Sequence, residues 1–234
     1  MDHKNDCFVC GRELVYLDND EDTVCLYCKE AHRSNVRCEA GHYVCDRCHS
    51  LGGNELIEKY CLKSTRRDPV EIAFDLMRHP QIKMHGPEHH FLVPAVLLTA
   101  CHNVRKTDAA RRESDLKKAR QRAQKVLGGF CGFYGNCGAA VGTGIAVSVL
   151  TGATPLSREE WRLANLMTAR SLFAIAAHGG PRCCKRNSFL AIGEAAAFFE
   201  EHLGISLPVT RDVKCGFHAL NRECLAEECP FYGK

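Results

Sequence analysis

The sequence predicts a mainly α protein, with a helical bundle domain over residues 51–234 preceded by a small module over residues 1–50. Three observations lead there. Cysteines and a histidine recur at short, regular spacing between residues 7 and 48; apolar residues recur every three to four positions after residue 68; strand signals are sparse beyond the module.

With 234 residues the chain can bury a sizeable core, and 45% apolar against 25% charged residues excludes a mainly disordered protein. A formal net charge of +3 neither demands nor excludes a polyanionic partner. Cysteine usage is the departure from average: sixteen cysteines stand beside twelve histidines. The first residues, MDHKNDCFVC, lack the basic-then-apolar order of a secretory signal, so a cytoplasmic location is expected rather than an extracellular disulfide framework. In a reducing compartment, cysteines paired at two-residue spacing point to metal ligands.

Four such pairs follow one another: Cys7-x2-Cys10, Cys25-x2-Cys28, Cys38-x3-His42 and Cys45-x2-Cys48. A short spacer lets both donors of a tight turn face one ion, and two pairs complete a tetrahedron of soft ligands that suits zinc. Eight ligands imply two zinc ions in a zinc-ribbon or treble-clef-like module, and consecutive or interleaved pairing fits the spacing equally well. The stretch ELVYLDNDEDTV reads as a short hairpin with a polar turn. With so few large apolar residues, the module is expected to draw most of its folding free energy from metal. Four thiolates also accept iron, and a fortuitous cluster of reduced cysteines is the plain alternative. The ligand order loosely resembles RING-type modules, but its second pair is CxxC where that pattern has Cys-x-His, which speaks against a ubiquitin ligase.

A boundary is expected at SLGGN, residues 50–54, after which helical signals take over. Asp68-Pro69-Val70-Glu71 supplies an N-cap acid and a proline at the first helical position, ahead of Ile72, Ala73, Leu76 and Met77 on one face. Ser157 and Glu160 read as a capping box before a helix whose Leu163, Leu166, Met167, Phe173, Ala174 and Ala177 keep a helical period. Further helices are expected at about 92–103, 138–150 and 187–203, the last ending at Gly204. Residues 130–157 carry no charge, yet their apolar part is shorter than the roughly 20 residues of a membrane span, so a buried helix is expected. Gly138, Gly142 and Gly144 would serve close helix packing in the membrane alternative. Residues 105–125 carry nine Lys and Arg against three Asp and Glu. They read as a solvated helix laced with ion pairs, or secondarily as a basic surface for RNA, without the aromatic residues of a stacking platform.

A second set of cysteines lies in the body: Cys131, Cys137, the vicinal Cys183 and Cys184, and Cys215, Cys224 and Cys229 followed by Pro230. These are the candidate cofactor ligands. Cys137, Cys183 and Cys184 precede expected helices, whose positive dipole ends favour thiolates. A cysteine followed by proline also occurs in bacterial-type iron–sulfur ligation. An iron–sulfur cluster, a dithiol that cycles through a disulfide, and inert core cysteines are the three readings. HGPEHH places His85, Glu88, His89 and His90 ahead of Cys101 and His102, as acid/base groups or further ligands. His89, His90 and Cys137 are the candidate catalytic groups.

The runs CGFYGNCGAAVGTGIAVSVLTGATPLS and LANLMTARSLFAIAAHGGPRCCKRNSFLAI, with the closing CxxxxCPFYG, resemble an uncharacterised cysteine-rich domain family of archaea and anaerobic bacteria over residues 38–234. The resemblance implies an anaerobic, iron–sulfur-friendly setting. It also implies a SAM-dependent methyltransferase or radical-SAM partner, since such domains are joined to the family; it carries no established reaction. This chain itself has neither a GxGxxG-type methyltransferase fold nor a CxxxCxxC triad. The expectation is a metalloprotein with structural zinc and a thiolate-ligated iron–sulfur or redox site, acting in sulfur, one-carbon or electron-transfer chemistry. The alternative is a non-enzymatic zinc-dependent module that docks RNA or a partner enzyme through its basic helix; no membrane partner is expected.

Overall fold

The computed structural model describes residue 7, residues 12–25 and residues 30–233, except the side chains of residues 50 and 51; Cys10 and Cys28 lie outside the described residues. Strands β1 (Leu14–Val24) and β2 (Ala31–Cys38) pair antiparallel from Leu14 opposite Cys38 to Val24 opposite Ala31. The acidic run expected to form a turn is instead a bulge within β1, between the pairs Tyr16–Val36 and Glu21–Ser34. The reversal falls after Val24, where the Cys25 N–H donates to the Glu30 carbonyl at 3.0 Å. Closing the hairpin there leaves the carboxylates in water, where burial would penalise them.

Helix α1 (Asp46–Lys63) begins directly after Cys45 and runs through SLGGN, so module and body are joined by a helix. A Cβ on Gly53 would lie 2.9 Å from the Gln81 carbonyl oxygen and 3.1 Å from the Glu88 Cβ. The glycine therefore permits close packing inside a helix. In α2 (Pro69–Met77) the cap is as expected: one Asp68 oxygen accepts from the Val70 N–H at 2.8 Å, the other from the Thr210 N–H and hydroxyl, both at 2.7 Å. Asp68→Ala is expected to destabilise the chain by about 1–2 kcal/mol in urea unfolding, from loss of the cap and of this tie to the carboxyl-terminal segment.

Helix α3 (Glu88–Arg105) is the centre of the body, buried at every residue from Phe91 to His102. It packs against α1, α2, α4 (Ala109–Ala123), α6 (Gly138–Thr151) and α8 (Cys184–Leu203), with α7 (Glu159–Ala177) outside on α6 and α8. The short α5 (Phe130–Phe133) leads into α6. The uncharged segment does supply a buried helix, α6, and among the described residues no helix is long and apolar enough to cross a membrane. Its glycines serve packing within the body: a Cβ on Gly142 would lie 2.8 Å from Pro94 of α3, and one on Gly144 would lie 2.9 Å from the Ala164 carbonyl of α7.

Three helical expectations are corrected. Ser157 does not cap α7; its hydroxyl turns back to accept from the Thr154 N–H at 2.6 Å, and Arg158 holds the cap position. Phe173 is 77% exposed, because the outer helix α7 buries only the narrow stripe Leu163, Met167, Ser171 and Ile175. Helix α8 starts at Cys184, with Cys183 as its N-cap accepting from the Arg186 N–H at 3.4 Å.

The cations of α4 are engaged by the protein itself. Arg111 and Lys118 pair with the buried Asp115 at 2.8 and 3.4 Å, Lys117 pairs with Glu113 at 2.5 Å, and Arg120 pairs with Glu58 of α1. Arg112 donates to the Ser64 carbonyl at 3.2 Å and to Asn103 at 2.7 Å.

Candidate metal centres

Two groups of donors form in the amino-terminal module: Cys7, Cys38 and His42 in one, Cys25, Cys45 and Cys48 in the other, each with its donor atoms within 4.8 Å of one another. A tetrahedral ion with metal–sulfur bonds near 2.3 Å separates its ligands by about 3.8 Å. The Cys7 sulfur lies 3.8 Å from His42 Nδ1. Among the described ligands the pairing is thus interleaved, the first pair with the third and the second with the fourth. The hairpin explains why: Cys38 at the end of β2 is brought back beside the start of β1, while Cys25 at the other end of β1 meets the start of α1. Backbone donors face the sulfurs, from Ala40 N–H to Cys38 at 3.3 Å and from Cys45 N–H to Cys25 at 3.4 Å.

Seven of the nine body cysteines, all but Cys61 and Cys101, divide into two groups. Cys183, Cys215, Cys224 and Cys229 line one cleft whose remaining walls are largely apolar, including Met84, Phe189, Phe217 and Phe231. Two of them repeat the turn seen at Cys38: the Phe217 N–H donates to Cys215 and the Ala226 N–H to Cys224, each at 3.4 Å. Ala226 takes φ of +47°, a left-handed conformation strained for a residue with a Cβ, and so aims its N–H at the sulfur. The Cys215 N–H donates to the Phe231 carbonyl at 2.7 Å, which closes the carboxyl-terminal segment over the cleft. Among the described residues, the only trios of donors within 4.8 Å of one another are the two in the module, so the cleft's four thiols are more widely spread than a single tetrahedral ion requires.

Cys131, Cys137 and Cys184 form the other group. The Asn187 side-chain N–H donates to the Cys137 sulfur at 3.5 Å, the backbone of Gly86 hydrogen-bonds the Cys184 thiol, and Cys137 lies within electrostatic reach of both Cys131 and Cys184. Burial pushes the Cys184 thiol up to about 12 and raises Cys131, Cys183 and Cys215 as well. This corrects the expectation of ready thiolates at the start of α8: for Cys183 and Cys184 burial outweighs the helix end.

The histidine cluster is only partly at this group. His90 Nδ1 donates to the Val126 carbonyl at 2.9 Å, and the face of its ring lies against Gly138, nearest at Cδ2, next in the chain to Cys137. His89 is buried, its Nε2 donating to the Lys83 carbonyl at 3.1 Å, and burial holds it well below the usual imidazole range. His85 Nε2 meets Asn221 at 3.1 Å, and the buried Glu88 accepts from the Lys83 N–H at 2.8 Å with its acidity weakened by burial. Cys101 and His102 are not part of the cluster. They lie about 20 Å further along α3 by helical rise, where burial pushes Cys101 up to about 12 and His102 faces Asp115 at 3.4 Å.

Sequence reasoning missed Lys185, which follows Cys184 and is fully buried. Its ammonium donates to the Met77 and Ile82 carbonyls at 3.0 Å and lies 4.6 Å over the Phe217 ring, and burial lowers it to about 8. Read as part of an amphipathic helix, a lysine gives no signal that it faces inward.

The fold and these groups define a mainly helical, cysteine-rich protein with two Cys/His groups that could hold a metal ion. The chain belongs to the family of unknown function DUF5714, whose model matches residues 57–232. That stretch contains all nine body cysteines, the seven candidate ligands among them, and leaves the two amino-terminal groups outside it. No curated protein and no solved structure matches the chain.

Proposed function

We propose that the body is an iron–sulfur protein, with a cluster held by Cys183, Cys215, Cys224 and Cys229, and that the amino-terminal module carries two structural zinc ions. Cys10 would complete the group of Cys7, Cys38 and His42, and Cys28 that of Cys25, Cys45 and Cys48. The observation that carries the cluster is the convergence of four thiols, distant in sequence, on one largely apolar cleft with a spread wider than a zinc tetrahedron. A polynuclear cluster separates its terminal thiolates further than one ion does. Two N–H donors to the sulfurs and the enclosing aromatic residues are the features by which proteins tune such clusters.

When bound, the cluster would supply one-electron chemistry, which places the protein in electron transfer or in sulfur or one-carbon metabolism beside a SAM-dependent or radical-SAM enzyme, in the cytoplasm. The chain's own residues bind it, exclude water and hold a buried cation, Lys185, near the thiolates. With the α4 cations engaged internally, no shift of RNA is expected in a gel titration at physiological salt, and salt-dependent binding there would favour the docking alternative.

Anaerobically purified full-length protein is expected to contain iron and acid-labile sulfide together with zinc. In the double variant Cys215→Ser/Cys224→Ser, the cleft's iron and sulfide should be lost while the zinc stays. Zinc alone in the unsubstituted protein, with no visible chromophore, would overturn the cluster.

A further inference from the structure

Lys185, the second residue of α8, carries a fully buried ammonium that no carboxylate pairs with. Its Nζ donates to the carbonyl of Met77, the last residue of α2, and to that of Ile82, both at 3.0 Å, and lies 4.6 Å from the centre of the Phe217 ring. Among the described residues it forms no ion pair. Glu88 is the acid within electrostatic reach, and burial works against the ionisation of that carboxyl. Two carbonyls and a ring face satisfy the three N–H bonds, and the carboxyl end of α2 suits a cation. Neutral groups still leave the charge uncompensated, and taking an unpaired ammonium out of water is costly.

The four-thiol cleft adjoins this ammonium through Phe217. That residue lines the cleft, and its N–H donates to the Cys215 sulfur at 3.4 Å. Cys183, two positions before Lys185, and Met84, two positions after Ile82, line the same cleft. The segments that hold the ammonium are therefore continuous with the cleft's wall. A centre held by four thiolates supplies negative charge, and charge around such a centre sets its potential.

We propose that Lys185 is the counter-ion of the metal centre held by Cys183, Cys215, Cys224 and Cys229 and a determinant of its reduction potential, an inference that rests on the cluster reading of that cleft. One-electron reduction, by dithionite for example, adds a negative charge there, and the fixed ammonium favours the reduced form. A unit charge at about 10 Å and an effective dielectric constant near 20 shifts such an equilibrium by roughly tenfold. A lysine that only capped α2 would affect stability and leave the potential unchanged.

Redox titration of the iron centre at pH 7, where Lys185 is charged, tests this on anaerobically purified full-length protein. The unsubstituted chain is compared with Lys185→Met and Lys185→Gln, which remove the charge; glutamine keeps an N–H donor for the carbonyls. A neutral variant with full iron and sulfide should have a lower potential, by roughly tenfold in the reduction equilibrium or about 59 mV for one electron, and Lys185→Arg should stay near the unsubstituted value. An unchanged potential in a neutral variant with full iron would overturn the counter-ion and leave the cleft's cluster standing. If both neutral variants lose iron, its retention in Lys185→Arg, with zinc and far-ultraviolet dichroism unchanged in all three, supports the role of the charge. Iron lost from all three, or lost together with the dichroism, confines Lys185 to structure and overturns the proposal. No iron in the unsubstituted protein would overturn the cluster reading itself, and this inference with it.

Discussion

Removing metal from the amino-terminal module is expected to unfold β1 and β2 and to loosen residues 127–137, while α3 stays folded. Among the described residues of the hairpin and its flanks, the fully covered apolar side chains are Cys7, Cys25, Cys38 and Cys45 of the two donor groups, so little else holds the strands. A lone two-stranded hairpin is marginal in water, whereas a structural zinc site contributes roughly 10–16 kcal/mol. The effect should pass to the body through two contacts. Asp46, beside Cys45, accepts from the Gly128 N–H at 2.7 Å; Tyr16 of β1 lies against Phe133 and receives a hydrogen bond from Arg182 at 3.4 Å. Hydrogen exchange with and without a strong chelator should show protection lost at residues 14–38 and 127–137 and kept at 91–102. Retained protection at 14–38 would mean that the hairpin does not depend on metal.

Gly142→Val is expected to destabilise the body by about 1–3 kcal/mol, by overpacking the contact of α6 with α3. The first added carbon would lie 2.8 Å from the Pro94 ring and 3.2 Å from both the His90 carbonyl and the Val93 side chain, and neither a proline ring nor a helix backbone yields readily. For a chain of this size, each kcal/mol lowers Tm by about 2–4 °C. Gly152→Ala serves as a comparison: no atom crowds that position, and its φ of +75° makes the cost a local one at the end of α6.

Much of this could be read in the sequence where local chemistry decides. The spacing of Cys7, Cys25, Cys38, His42, Cys45 and Cys48 marked them as candidate ligands, which the fold gathers into two groups, and the cap at Asp68 and the stop at Gly204 fixed helix ends that the structure repeats. What tertiary contacts decide was not legible. The interleaved pairing depends on where the hairpin reverses, and the acidic run in β1 imitated a turn. Gly52 and Gly53 imitated a linker, although Gly53 is a packing position inside α1. The division of Cys183 from Cys184 depends on a helix that starts at Cys184, three residues earlier than apolar periodicity suggested. Phe173 shows the converse error, since a period marks a face without showing that anything covers it.

X-ray absorption at the iron and zinc edges of anaerobically purified full-length protein tests the central claim most directly. Zinc with sulfur and nitrogen neighbours, together with iron showing both sulfur and iron neighbours, is the expected result, and the iron–iron signal should vanish in a variant lacking Cys183, Cys215, Cys224 and Cys229. Iron with no iron neighbour, or zinc alone, would contradict the claim that the body's thiols hold a cluster.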